Sequence, residues 1–158
     1  MRVVAVTGLK GGVGKTSTAA NLAALRESMA RHGATHHFVS TVDDVAWITN
    51  LRGADVDYNP VFLAHLLIEA SKATLFIGAG KIDVALAKEL AAEGITLADY
   101  AGAAKALAAL PPAAMLLVDP KRITLAFREQ VPAGMKVIEA INPSTLAKSR
   151  KTAEEAAH

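Results

Sequence analysis

Residues 33–53 read GATHHFVSTVDDVAWITNLRG, and the change of pattern inside them decides the fold class. HHFVSTV is short, apolar and rich in β-branched residues, as a strand buried in a sheet must be. DDVAWITNLRG then takes up a helical pattern. Asp43 or Asp44 offers a carboxylate to the first free N–H groups, and Gly53 ends the helix. A strand that runs straight into a helix is one unit of a layered α/β sheet.

Working outward, the same alternation recurs. Upstream, Ala19, Leu22, Ala23, Leu25 and Met29 recur at helical spacing over residues 16–31, with His32 in the last turn and Gly33 as the stop. Such a helix is about 25 Å long. Before it, RVVAV (residues 2–6) reads as a buried strand, either inserted in the sheet or at its edge. An edge place would leave it half unpaired and open to dimerisation.

Downstream, DYNP is a turn, and VFLAHLLIE and ATLFIG are two apolar runs that predict an antiparallel hairpin. KIDVALAKELAAEG, AGAAKALAAL (ended by Pro111 and Pro112) and RITLAFREQV predict helices. ITLADY, AMLLVD and MKVIEA predict strands, and PSTLAKSRKTAEEAAH a last helix or tail. The expectation is a three-layer αβα fold with a mixed β-sheet. With no repeat, linker or composition break, residues 1–158 read as a single domain.

Composition excludes several classes. The 158 residues are 52% hydrophobic but only 4% aromatic, so Ala, Leu, Val and Ile build the core. A net charge of +2 is too balanced for a nucleic-acid surface. Without cysteine there is no disulfide, thiolate zinc site or Cys nucleophile. Apolar runs are too short for a membrane span, and no secretory signal is legible, so a cytoplasmic protein is expected. The histidines offer no metal cluster. His36 and His37 point to opposite faces of a strand, and His65 sits in an apolar run as a core or edge residue. Trp47 reads as packed on the core, with Arg52 capping the helix that precedes it.

The glycine-rich stretch LKGGVGKTSTAANLA carries different chemistry. Gly11, Gly12 and Gly14 free the backbone to aim N–H groups into one concavity, and Val13 lies between them. A helix starting at Lys15 or Thr16 adds its positive dipole end. Lys15 would neutralise phosphate, and Thr16 would ligate magnesium, with Ser17 beside it. The stretch resembles the deviant Walker A segment of the ParA/MinD family of ATPases. That resemblance assigns Lys10 to a partner's phosphates across a nucleotide-sandwich dimer. Leu9 departs from the common phosphate-loop pattern, and no adenine segment is recognisable. Asp119, after AMLLV, stands where a Walker B aspartate would, or simply ends a strand and caps the next helix.

From about Leu22 onward a second resemblance covers the chain. DDVAW, NLRG, YNPVFL, ATLFI, LLVDP and INPSTLAKSRKTAEEAAH are similar to the creatinase-like domain on the N-terminal side of Xaa-Pro aminopeptidases. This implies a creatinase/prolidase N-terminal fold, ribonuclease H-like, extended by an N-terminal strand–phosphate loop–helix unit. In that family the catalytic domain follows, with two metal ions on Asp, His and Glu ligands, and this domain is scaffold and association surface. The two resemblances meet in NLAALRESM, which suggests a chimera, of engineered origin, joining residues 1–25 to 22–158.

Three functions follow as expectations. The first is a phosphate- or ATP-binding module with magnesium, weak or no hydrolysis and no peptidase activity. The second is a non-catalytic aminopeptidase domain with a passive loop. The third is a ParA-like ATPase that works as a homodimer. Neither nucleic acid nor membrane is an expected partner.

Overall fold

A computed structural model describes residues 3–5, 17–53, 55 and 61–149. In chain order the first elements are β1 (Val4–Ala5), α1 (Thr18–Arg31), β2 (His36–Val39), α2 (Val42–Thr49), β3 (Leu51–Arg52), β4 (Ala64–Glu69) and β5 (Ala73–Ile77). Then come α3 (Val84–Ala92), β6 (Ile95–Asp99), α4 (Ala103–Ala108), β7 (Met115–Val118), α5 (Leu125–Gln130), β8 (Lys136–Glu139) and α6 (Pro143–Ser149).

The main sheet has six strands in the order β6-β5-β4-β2-β7-β8. β4 runs antiparallel to both its neighbours, and the remaining pairs are parallel. The cause is connection length. Only three residues join β4 to β5, enough for a hairpin, whereas β5 reaches β6 and β7 reaches β8 through helices. The expected hairpin and mixed sheet are therefore present.

Strict alternation sends side chains to two cores. Val39, Leu66, Ile68, Leu75 and Leu117 meet α1, α2 and α3 through Leu22, Leu25, Ile48 and Leu90. Phe38, Leu67, Phe76, Leu116 and Val118 meet Leu107 of α4 and Phe127 of α5 on the other face. Burial of each such Leu or Ile contributes about 2 kcal/mol, which is how a chain so poor in aromatics holds together.

Three local expectations are corrected. β1 lies neither inside nor at the edge of the main sheet: it pairs antiparallel with β3, Val4 opposite Arg52, in a separate two-stranded ladder. α1 begins at Thr18 and not at Lys15 or Thr16, because Ser17 holds the extended backbone of an N-cap. Its buried stripe is Thr18, Asn21, Leu22, Leu25, Ser28 and Met29, while Ala19 and Ala23 face outward. α2 is ended by Asn50, at φ 54°, and not by Gly53; Leu51 is already in a strand. Its N-cap is Thr41, so Asp43 and Asp44 sit inside the first turn. Gly33 does end α1, at φ 71°. No helix among the described residues is long and apolar enough to cross a membrane.

Candidate functional site

Polar groups concentrate where β2, β7 and β8 end, beneath α6. Asp44 enters this region from the first turn of α2, where a carboxylate suits the helix dipole, and is only 1% exposed. Lys148 of α6 places Nζ 2.6 Å from Asp44 Oδ1 and 3.1 Å from Asp43 Oδ2. Thr145 Oγ1 donates to Asp44 Oδ2 at 3.1 Å, and Asn142 Nδ2 donates to the same oxygen at 3.3 Å. Asn142 also donates its backbone N–H to Asp119 Oδ2 at 3.0 Å. Asp119 Oδ1 accepts the Lys121 N–H at 3.0 Å.

Electrostatics fit this geometry. Partial burial would raise the Asp43 pKa, but the hydrogen bond and charge of Lys148 outweigh it and hold the carboxyl below its usual range. His37, fully buried on β2, feels the charges of Asp44 and Asp119. Its Nδ1 donates to the Leu117 carbonyl at 2.9 Å, and burial pulls its pKa down to about 4. It is a neutral imidazole at pH 7.

This network fastens. Both oxygens of Asp44 and of Asp119 are already engaged, which ties α6 and the β8–α6 connection to the sheet. Beside it opens a cleft of about 520 Å³ lined by Asp119, Lys121, Arg122, Glu139, Ile141 and Thr145. Among the described residues no group of three His, Cys, Asp or Glu is placed to hold a metal ion.

Most of the residues singled out for phosphate fall outside the described structure. Lys10, Gly11, Gly12, Val13, Gly14, Lys15 and Thr16 lie outside the described residues, and with them the expected ATP and magnesium contacts. Ser17 spends its hydroxyl oxygen on the Ala20 N–H, 3.1 Å away. Its cleft, about 200 Å³, carries Glu89 and Glu93 among the described residues that line it. Asp119 lines a different cleft and directly follows β7, but it does not cap the next helix, α5, whose N-cap is Thr124.

Reasoning from sequence missed what the start of α1 does. Thr18 Oγ1 donates to the Thr49 carbonyl at 3.0 Å, and Asn21 Nδ2 reaches the Trp47 and Ile48 carbonyls at 3.2 Å. These are last-turn carbonyls of α2, which lack partners within their own helix. Arg52 Nη1 adds a bond to the Ala46 carbonyl at 2.9 Å, the capping role expected of it. Polar residues three apart on a buried helix face were the available signal.

The histidines sit as expected. His36 Nε2 lies 3.4 Å from Glu69 Oε1, away from His37. His65 stacks 4.9 Å from Tyr100 and meets Phe127 edge-on at 4.6 Å.

The profile of the creatinase/prolidase N-terminal domain family matches residues 8–155. The chain belongs to this family. As a creatinase/prolidase N-terminal domain it is 33% identical over 132 residues to Xaa-Pro aminopeptidase 1 of Dictyostelium discoideum, covering 83% of this chain and 21% of that protein. It is 34% identical over 109 residues to aminopeptidase P2 of Arabidopsis thaliana, covering 68% and 15%. The chain thus spans about a fifth or less of the length of these relatives. An X-prolyl aminopeptidase from Caenorhabditis elegans, a cytosolic enzyme with a di-nuclear active site, superposes with a TM-score of 0.82. That match, at 20% identity, covers 99% of this chain and 26% of the other.

These matches overturn the chimera. The family profile matches residues 8–155, the glycine-rich stretch included, and the match to the C. elegans structure covers 99% of the chain. The reading as an ATP-binding module on a foreign scaffold is corrected accordingly. An amphipathic helix with leucines on its buried face suits either resemblance, so NLAALRESM could not separate them.

Proposed function

We propose that this chain serves as the non-catalytic, N-terminal-side domain of an Xaa-Pro aminopeptidase, a scaffold and association surface for a metal-dependent catalytic part. The match of the family profile over residues 8–155 carries this reading. The chemistry on the page supports it: Asp44 and Asp119 are engaged in holding α6, and His37 is a buried hydrogen-bond donor. A cytoplasmic location belongs to the same reading, supported by the absence of cysteine and by the cytosolic relative in C. elegans.

The test incubates the purified chain with Mn²⁺ and an Xaa-Pro peptide while circular dichroism reports the fold. The expected result is a folded chain with no release of the N-terminal residue and the same unfolding temperature with or without Mn²⁺. MgATP leaves that temperature unchanged as well. Peptide turnover, or stabilisation by Mn²⁺, overturns the proposal.

A further inference from the structure

His65 stands among rings on the side of the sheet that α4 and α5 cover. Tyr100, in the turn between β6 and α4, stacks on it with 4.9 Å between centroids. Phe127 of α5 meets it edge-on at 4.6 Å, and Phe38 of β2 stacks at 5.7 Å. His65 is 8% exposed, and its Nδ1 is buried with no hydrogen-bond partner among the described residues. In a neutral imidazole that nitrogen can remain a bare acceptor. In the cation both nitrogens donate, and the second N–H would point at rings that offer it no lone pair.

α5 rests on this cluster. None of its residues, Leu125–Gln130, is buried, and Leu125 is 72% exposed. Phe127 ties it to the sheet by packing on both His65 and Phe38. Beyond the helix, Gly134 sits at φ 85° with nothing within 4 Å of the place a Cβ would take, a point where the backbone can turn.

We propose that α5 is a flap latched by His65, shut while the imidazole is neutral and released when it takes up a proton. Release uncovers the rings of Phe38, His65 and Phe127. The titratable groups on the surrounding strands are His36 and His37 of β2, Glu69 of β4 and Asp99 of β6. The other side brings Tyr100, Lys105 of α4, and Arg128 and Glu129 of α5. None of them offsets burial, which lowers the pKa of His65. Closure is therefore fully stabilised above the 6.5 of a free imidazole, and weakens as pH falls until the lower pKa of the shut state is passed.

Amide hydrogen exchange of the full chain between pH 4 and 7, corrected for intrinsic rates, is the test. The reporters are the Arg128 and Val131 N–H groups, bonded to the carbonyls of Thr124 and Arg128. They should be less protected than the β4–β5 ladder at every pH, the mark of local opening. Their protection should fall in acid by up to about tenfold per pH unit, the limit for one proton. His65→Phe, which keeps a ring in place, should abolish that slope, and His37→Phe should leave it. Equal protection of α5 and the ladder overturns the proposal, as does a slope that survives in a folded His65→Phe. Protection that rises in acid, as a cation–π stack on Tyr100 would give, also overturns it. If His65→Phe does not fold, the wild type decides. The fall must level off at the pH where the His65 ring resonances titrate, and any other pH rejects the latch.

Discussion

Asn21 Nδ2 stands 3.2 Å from the carbonyl oxygen of Ile48, twenty-seven residues along the chain. The contact joins the first turns of α1 to the last turn of α2 and adds to the left-handed cap that Asn50 gives α2. Replacement by leucine keeps the branched shape and strands the half-buried carbonyl of Trp47 and the buried one of Ile48. Asn21→Leu should lower unfolding free energy by about 2 kcal/mol, read as a lower urea midpoint at constant m-value. Thr18→Val, which frees the Thr49 carbonyl, should act in the same direction.

Lys148 neutralises a carboxylate that water barely reaches. Its loss leaves Asp44 with Thr145 and Asn142 as hydrogen-bond donors but, among the described residues, no countercharge within contact. Lys148→Met keeps the aliphatic stem and should cost about 3 kcal/mol, whereas the paired change Lys148→Met with Asp44→Asn should recover part of it. Equal urea midpoints for wild type and Lys148→Met would show that the pair contributes nothing.

Much of this architecture is legible in the chain, for identifiable reasons. HHFVSTV, VFLAHLLIE, ATLFIG and AMLLVD are apolar on both alternations because both sheet faces are covered, so each run announces a buried strand. Gly33 marks a helix end because φ 71° excludes most side chains. Contacts across long sequence separations are not legible in this way. Thr18 and Asn21, three apart in TSTAAN, mark a polar helix face, but they do not say that it turns toward α2, since the same residues suit a phosphate loop. The knot of Asp44, Asp119, Asn142 and Lys148 joins elements about a hundred residues apart, and its members look like solvated charges until β2, β7 and β8 stand side by side.

Gly33 offers a clean measure of backbone strain. A Cβ added there meets nothing within 4 Å, so any cost of substitution comes from the left-handed backbone alone. Gly33→Ala should destabilise by about 1 kcal/mol, and Gly33→Asn by less, because asparagine tolerates this region. The midpoints of thermal unfolding should rank wild type, Asn variant, Ala variant.

The acid limb of stability should belong largely to His37. Its folded pKa of about 4 lies below the 6.5 of a free imidazole, so the unfolded chain binds the proton more tightly. Stability is then full above pH 6.5, falls as pH drops from 6.5 toward 4, and levels off below. A gap of this size corresponds to about 3 kcal/mol at the acid end. His65, whose pKa burial also lowers, adds loss of the same sign. The carboxyls of Asp43 and Asp55, held below their usual range, release their contribution only at lower pH. Urea titrations between pH 4 and 7 should therefore show a slope that His37→Phe flattens. An unchanged slope in a folded His37→Phe would mean that another group carries the acid limb.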